Sequence, residues 1–151
     1  MGTLISVLNG LATHLQTYLT DPASPARTRW CWVEYPANVV DYPSLEVNGF
    51  ETPMETALGQ AVVGGQGQHS LVTVGIKIKT RQKEYHNSMS DALLVDWIYD
   101  QVTVEMAKQR TRTALNAITI QPLAGTTITE DFASELLQRT AFYIVRVVKL
   151  I

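Results

Sequence analysis

Between residues 69 and 79 the chain reads HSLVTVGIKIK, in which Val72, Val74, Ile76 and Ile78 alternate with Thr73, Gly75, Lys77 and Lys79. A period of two puts successive side chains on opposite sides of an extended backbone, so this stretch is a strand with one apolar face to bury. The rest of the chain must supply a layer to cover that face. Helices are predicted both before and after it. In residues 3–19, Leu4, Leu8, Leu11, Leu15 and Tyr18 recur at the spacing of a one-faced amphipathic helix, with Ile5, Ala12 and Leu19 beside them. After a polar loop at 81–87, a second apolar-periodic helix is predicted over residues 88–110. Ser88 and Asp91 stand at capping-box spacing before it, with Asp in place of the usual Glu.

The other strands are predicted from composition and breakers. Residues 29–35 are aromatic and β-branched and are closed by Pro36, residues 45–50 form a weaker candidate, and residues 116–121 another. The last segment, 142–151, carries Tyr143, Val145 and Val147 on one face and Phe142, Ile144 and Val148 on the other, which predicts a central strand. Thr129, Glu130 and Asp131 predict the start of a short helix through Leu137. Asp21-Pro22-Ala23-Ser24-Pro25 ends the first helix in a turn or short linker. Residues 59–68, with Gly64, Gly65 and Gly67 among glutamines, predict a mobile loop that orders only against a partner. The expectation is an α+β fold over 1–151 as a single domain. Its sheet is mixed or antiparallel, of about four to five strands, packed with an N-terminal helix and one long central helix.

A chain of 151 residues buries roughly two-thirds of the surface its unfolded form exposes, so it folds without metal or disulfides. The single cysteine, Cys31, sits between Trp30 and Trp32 and reads as a small buried thiol. Asn9, Thr13, His14 and Gln16 interrupt the apolar residues of the first helix, so neither a signal peptide nor a membrane span is expected. The net charge of −2 and pI near 5.9 give no general attraction to phosphate and argue against a nucleic-acid reader. Only 17% of residues are charged while 46% are hydrophobic. Against a usual charged share of about a quarter, this fits a chain that hides part of its outside in an assembly.

Residues with catalytic or ligating chemistry are scarce. His14, His69 and His86 form no HExxH and no i, i+4 pair, and each is expected at the surface or a strand end. Gly64-Gly65-Gln66-Gly67 lacks the lysine of a phosphate loop, and Asp96 with Asp100 reads as a solvated helix face. No catalytic residue, cofactor or metal is expected, and the chain is read as a non-enzyme. Two features remain. On the helix at 88–110, Leu94, Val95, Ile98, Tyr99, Val102 and Met106 form a main apolar stripe, and Leu93, Trp97 and Val104 a second. Gln101, Glu105 and Lys108 separate them on one side, Asp96 and Asp100 on the other. The second stripe is either part of one wide core face or a contact with another subunit through Trp97. Lys77, Lys79, Arg81 and Lys83 alternate onto one side as a basic row. That row is either a solvated outer face or edge, or a charged subunit seam or channel-facing ladder.

The order of elements resembles that of phage tail terminator proteins. The resemblance rests on the N-terminal helix, on the strand HSLVTVGIKIKT with its polar loop and the helix SMSDALLVDWIYDQVTVEM, and on the closing strand TAFYIVRVVKLI. It implies a structural virion protein that forms a hexameric ring, caps the completed tail tube and joins it to the head connector. Its partners would be copies of itself, a tail-tube protein and a head-tail connector protein. DNA would pass through the channel without sequence-specific binding, and no membrane would be involved. The location would be the tail or neck of the virion, assembled in the host cytoplasm. Alternatives are a head-tail joining or head-completion (neck) protein and a component of a non-viral tail-like injection machine. Val62 and Val63 of the glycine-rich loop, together with the second stripe and the basic row, are the expected contact residues.

Overall fold

The computed structural model describes residues 3–34, 41–53, 67–123, 127–131 and 136–150. In chain order they form α1 (Thr3–Tyr18), β1 (Cys31–Val33), β2 (Ser44–Pro53), β3 (Gly67–Arg81), α2 (Asp91–Met106), α3 (Gln109–Ala114), β4 (Ala117–Pro122), β5 (Thr127–Asp131) and β6 (Leu136–Leu150). The class is α+β. The sheet is mixed, in the order β1-β2-β3-β6-β4, with β5 also paired to β6. Among the described residues only the β1–β2 pair is parallel.

Two fifteen-residue strands, β3 and β6, form the centre and pair along their whole length from Gly67↔Leu150 to Arg81↔Leu136. The period of two then sorts the side chains across the ladder. Val72, Val74, Ile76 and Ile78 share a face with Tyr143, Val145, Leu45 and Val47, and all are buried. Leu8, Leu11 and Leu15 of α1 and Leu94, Ile98 and Val102 of α2 complete the same core. Gly49 pairs with Val74 of β3, and a Cβ there would collide with the Thr73 carbonyl. The α1–β1 connection is held by Asp21. Its carboxylate accepts from the Ala23 and Arg27 backbone N–H groups and from the Arg27 guanidinium at 2.8–3.0 Å. The Gln16 Oε1 of α1 accepts from Trp30 N–H at 2.8 Å and Cys31 N–H at 3.0 Å, which docks β1 on the helix.

Three predicted elements differ. The long helix is broken in two, because the Glu105 carbonyl accepts from Lys108 N–H (3.1 Å) and from the Thr111 hydroxyl (2.6 Å). The Gln109 N–H that would continue the helix loses its acceptor, so α2 ends and α3 begins anew. The capping box does not form: Ser90 is the N-cap, without a side-chain capping bond, and Asp91 Oδ1 accepts instead from Lys83 N–H at 3.0 Å. The short helix predicted from Thr129 is strand β5, paired antiparallel from Thr127↔Thr140 to Asp131↔Leu136. β6 begins at Leu136 and offers a free edge there, and the β-branched run at 127–129 takes it. β6 is central, as its composition predicts, with β3 on one side and β4 and β5 end to end on the other. Of the predicted mobile loop, Gly67 and Gln68 open β3, and residues 59–66 lie outside the described residues.

Candidate assembly surfaces

The apolar periodicity of α2 faces two ways. Leu94, Val95, Ile98, Val102 and Met106 turn to the sheet and are buried, and Tyr99 packs against them. On the outer side Leu93 and Val104 are 70% and 59% exposed. Trp97 is half-buried at the margin of the core. With Tyr18, Leu19 and Val104 it walls an open groove of about 320 Å³ between α2 and the end of α1. Gln101 Oε1 accepts from Thr20 N–H at 3.0 Å and ties the two helices together there. Asp96 and Asp100 flank the outer stripe and are exposed. Asp96 accepts from Arg139 Nη1 at 2.6 Å, and that guanidinium lies 3.5 Å over the Tyr99 ring.

Beneath the groove is a buried polar knot. Glu105 is 3% exposed, His14 6% and Thr111 0%. Arg110 donates to Glu105 twice, at 2.8 and 2.7 Å, and His14 Nε2 lies 2.8 Å from Glu105 Oε2 and 2.9 Å from Thr111 Oγ1. A carboxylate only accepts, so His14 carries its proton on Nε2. Arg110 also stacks 3.8 Å over Tyr18. The Thr111 hydroxyl is fully buried and donates to a backbone carbonyl, so the arrangement presents no nucleophile; it fastens α1 to the α2–α3 break.

The Arg110 hydrogen bonds, then the His14 bond and the Arg110 and Lys108 charges, outweigh burial and hold the Glu105 carboxyl at about 2, against an ordinary 4.5. A carboxylate depressed in the folded state stabilises at pH above its unfolded value and loses that contribution as pH falls through the folded one. We expect stability to drop between about pH 4.5 and 2 by about 1–2 kcal/mol on this account, after allowing for solvent screening on the Arg110 side. Urea titrations at stepped pH check this, and Glu105→Gln should flatten that part of the profile.

The second face of the sheet carries no helix among the described residues, since α1 and α2 both lie on the core face. Two rows cross it: Phe50↔Thr73↔Ile144↔Gln121 and Asn48↔Gly75↔Phe142. Phe50 is 59% exposed, Phe142 36% and Leu123, bonded to the Phe142 carbonyl, 38%. A Cβ at Gly75 would stand 2.7 Å from Asn48 Oδ1 and 3.2 Å from the Phe142 ring, so glycine lets that ring lie across the sheet. Beyond these rows the face turns basic, with Lys77, Lys79 and Arg81. Trp32 is half-buried in line with Glu46, and the Arg29 guanidinium lies 4.8 Å over its ring.

The expected contact residues are thus divided between two surfaces. Leu93, Trp97 and Val104 lie along the outer side of α2, and Lys77, Lys79 and Arg81 on the open sheet face. Lys83 is past the end of β3, in a turn with φ 61°, and does not extend the row. Lys79 is 2.9 Å from Glu46, both largely covered, so it braces the sheet. Val62 and Val63 lie outside the described residues. His14 and Glu105 are core residues, not the surface histidine and stripe-separating carboxylate that periodicity suggests. The sequence signal missed for Glu105 was the Thr111 hydroxyl five residues past the apolar stripe. The exposed aromatic rows were missed because an apolar second face on β6 reads as burial. Among the described residues no group of three or more His, Cys, Asp or Glu is placed to hold a metal ion. Nor is any helix there long and apolar enough to cross a membrane. No family model matches the chain, and no curated protein matches its sequence.

Proposed function

We propose that this chain is a structural ring subunit, a tail terminator that caps a tail tube and joins it to the head connector. The observation that carries the reading is the pair of exposed apolar surfaces on opposite layers: Leu93 and Val104 on α2, Phe50 and Phe142 on the sheet. Large exposed apolar side chains grouped in this way mark protein contacts. The charge-poor composition supports it as well. The ring would be hexameric, and DNA would cross its channel without sequence-specific contacts.

The test is assembly and capping. Light scattering is expected to give a closed oligomer, and addition of the chain to polymerising tail tubes is expected to stop their growth at one end. A strict monomer at all concentrations, with tubes that elongate unchanged in its presence, would refute the proposal.

A further inference from the structure

We propose that copies of this chain associate head to tail, the outer stripe of α2 in one copy seating on the open sheet face of the next. This rests on the ring reading and names its surfaces. The two surfaces are complementary in charge. The helix stripe of Leu93, Trp97 and Val104 is flanked by Asp96 and Asp100, and α2 carries no lysine or arginine. On the sheet face Lys77 stands one row beyond Phe142, Glu46 beside it is held by Lys79, and Arg81 and Arg29 lie further out at the end of β3 and over Trp32. Asp96 keeps 59% of its side chain exposed despite its bond to Arg139, and Arg81 keeps 45%.

Extents agree as well. From Leu93 to Val104 the stripe rises about 16 Å at 1.5 Å per residue. From Phe50 on β2 across β3 and β6 to Leu123, three inter-strand steps span about 14 Å. Charge also selects the mode of pairing. Sheet against sheet would face Lys77 and Arg81 with their own copies, and helix against helix would do the same to Asp96 and Asp100. Like charges brought together across an interface oppose both symmetric pairings. Helix against sheet brings opposite signs together and covers both apolar surfaces at once. Because the surfaces lie on opposite layers, the contact is heterologous, and repeated contacts of that kind close into a ring when their rotation divides a full turn.

Two variants test this: Phe50→Asp on the sheet face and Val104→Asp on the helix stripe, each at a majority-exposed position. Mass photometry on each alone is expected to show monomer, with association weakened at least tenfold. Mixed in equal amounts, they are expected to form a dimer containing one of each, because each retains the surface the other has lost and the two acidic surfaces repel. Should Phe50→Asp unfold by circular dichroism, Lys77→Glu, which adds no buried group, takes its place. A Val104→Asp protein that still self-associates, or a mixture that stays monomeric, overturns the proposal. So do variants that both assemble like the parent, and that result leaves the capping reading intact. Failure of the capping reading shows separately, as a parent chain that does not arrest tube growth.

Discussion

Trp30→Ala is expected to lower the free energy of unfolding by about 3–5 kcal/mol, enough to leave a domain of ordinary stability largely unfolded at 37 °C. Trp30 is the bulkiest of the fully buried side chains, at 1% exposure. It stands at the junction of α1, β1 and β2: its N–H donates to Gln16 of α1, and its carbonyl accepts from Leu45 N–H at 2.9 Å. Removal of the indole leaves a cavity that α1 cannot close without giving up the Gln16 bonds, so relaxation recovers little. Trp30→Phe, which keeps most of the volume, should cost less than half as much. Denaturant unfolding followed by circular dichroism measures both. A loss under about 1 kcal/mol for Trp30→Ala would mean that the junction is not closed as described.

Glu105→Ala is the second large effect, expected at about 3 kcal/mol. The loss arises mainly from what remains. The buried His14 Nε2–H loses its carboxylate and keeps as acceptor only the neutral Thr111 hydroxyl oxygen at 2.9 Å, whose own proton goes to the Glu105 carbonyl. Arg110 is half-exposed and can turn to water, so its part of the loss is small. This asymmetry makes a further comparison decisive. The double replacement His14→Leu with Glu105→Leu removes donor and acceptor together and should be less destabilising than Glu105→Ala alone. A double variant that is worse by the sum of the two single effects would show that the knot acts through packing instead of hydrogen bonding.

The long alternating strand was legible from residues 72–79, and the inner face of α2 from Leu94 to Met106, because both depend on periods that backbone geometry imposes locally. The break after Met106 was not legible. It depends on which hydroxyl reaches the Glu105 carbonyl, and Thr111 competes for that carbonyl only when α3 folds back. β5 was misread for the same reason. Thr129, Glu130 and Asp131 suit a helix start, but the free edge of β6 lies beside them in space and offers hydrogen bonds that an isolated segment lacks.

What the sequence determined by itself was the α+β class, the N-terminal helix and the central place of the last strand. These follow from side-chain order along one backbone. What only the tertiary structure decided was which apolar sides remain exposed. Phe142 and Tyr143 are neighbours of similar size in one strand, yet Tyr143 is 5% exposed and Phe142 36%. Among the described residues α1 and α2 come back over one side of the sheet only, and that choice is made by packing across the whole chain, not by any residue's immediate neighbours.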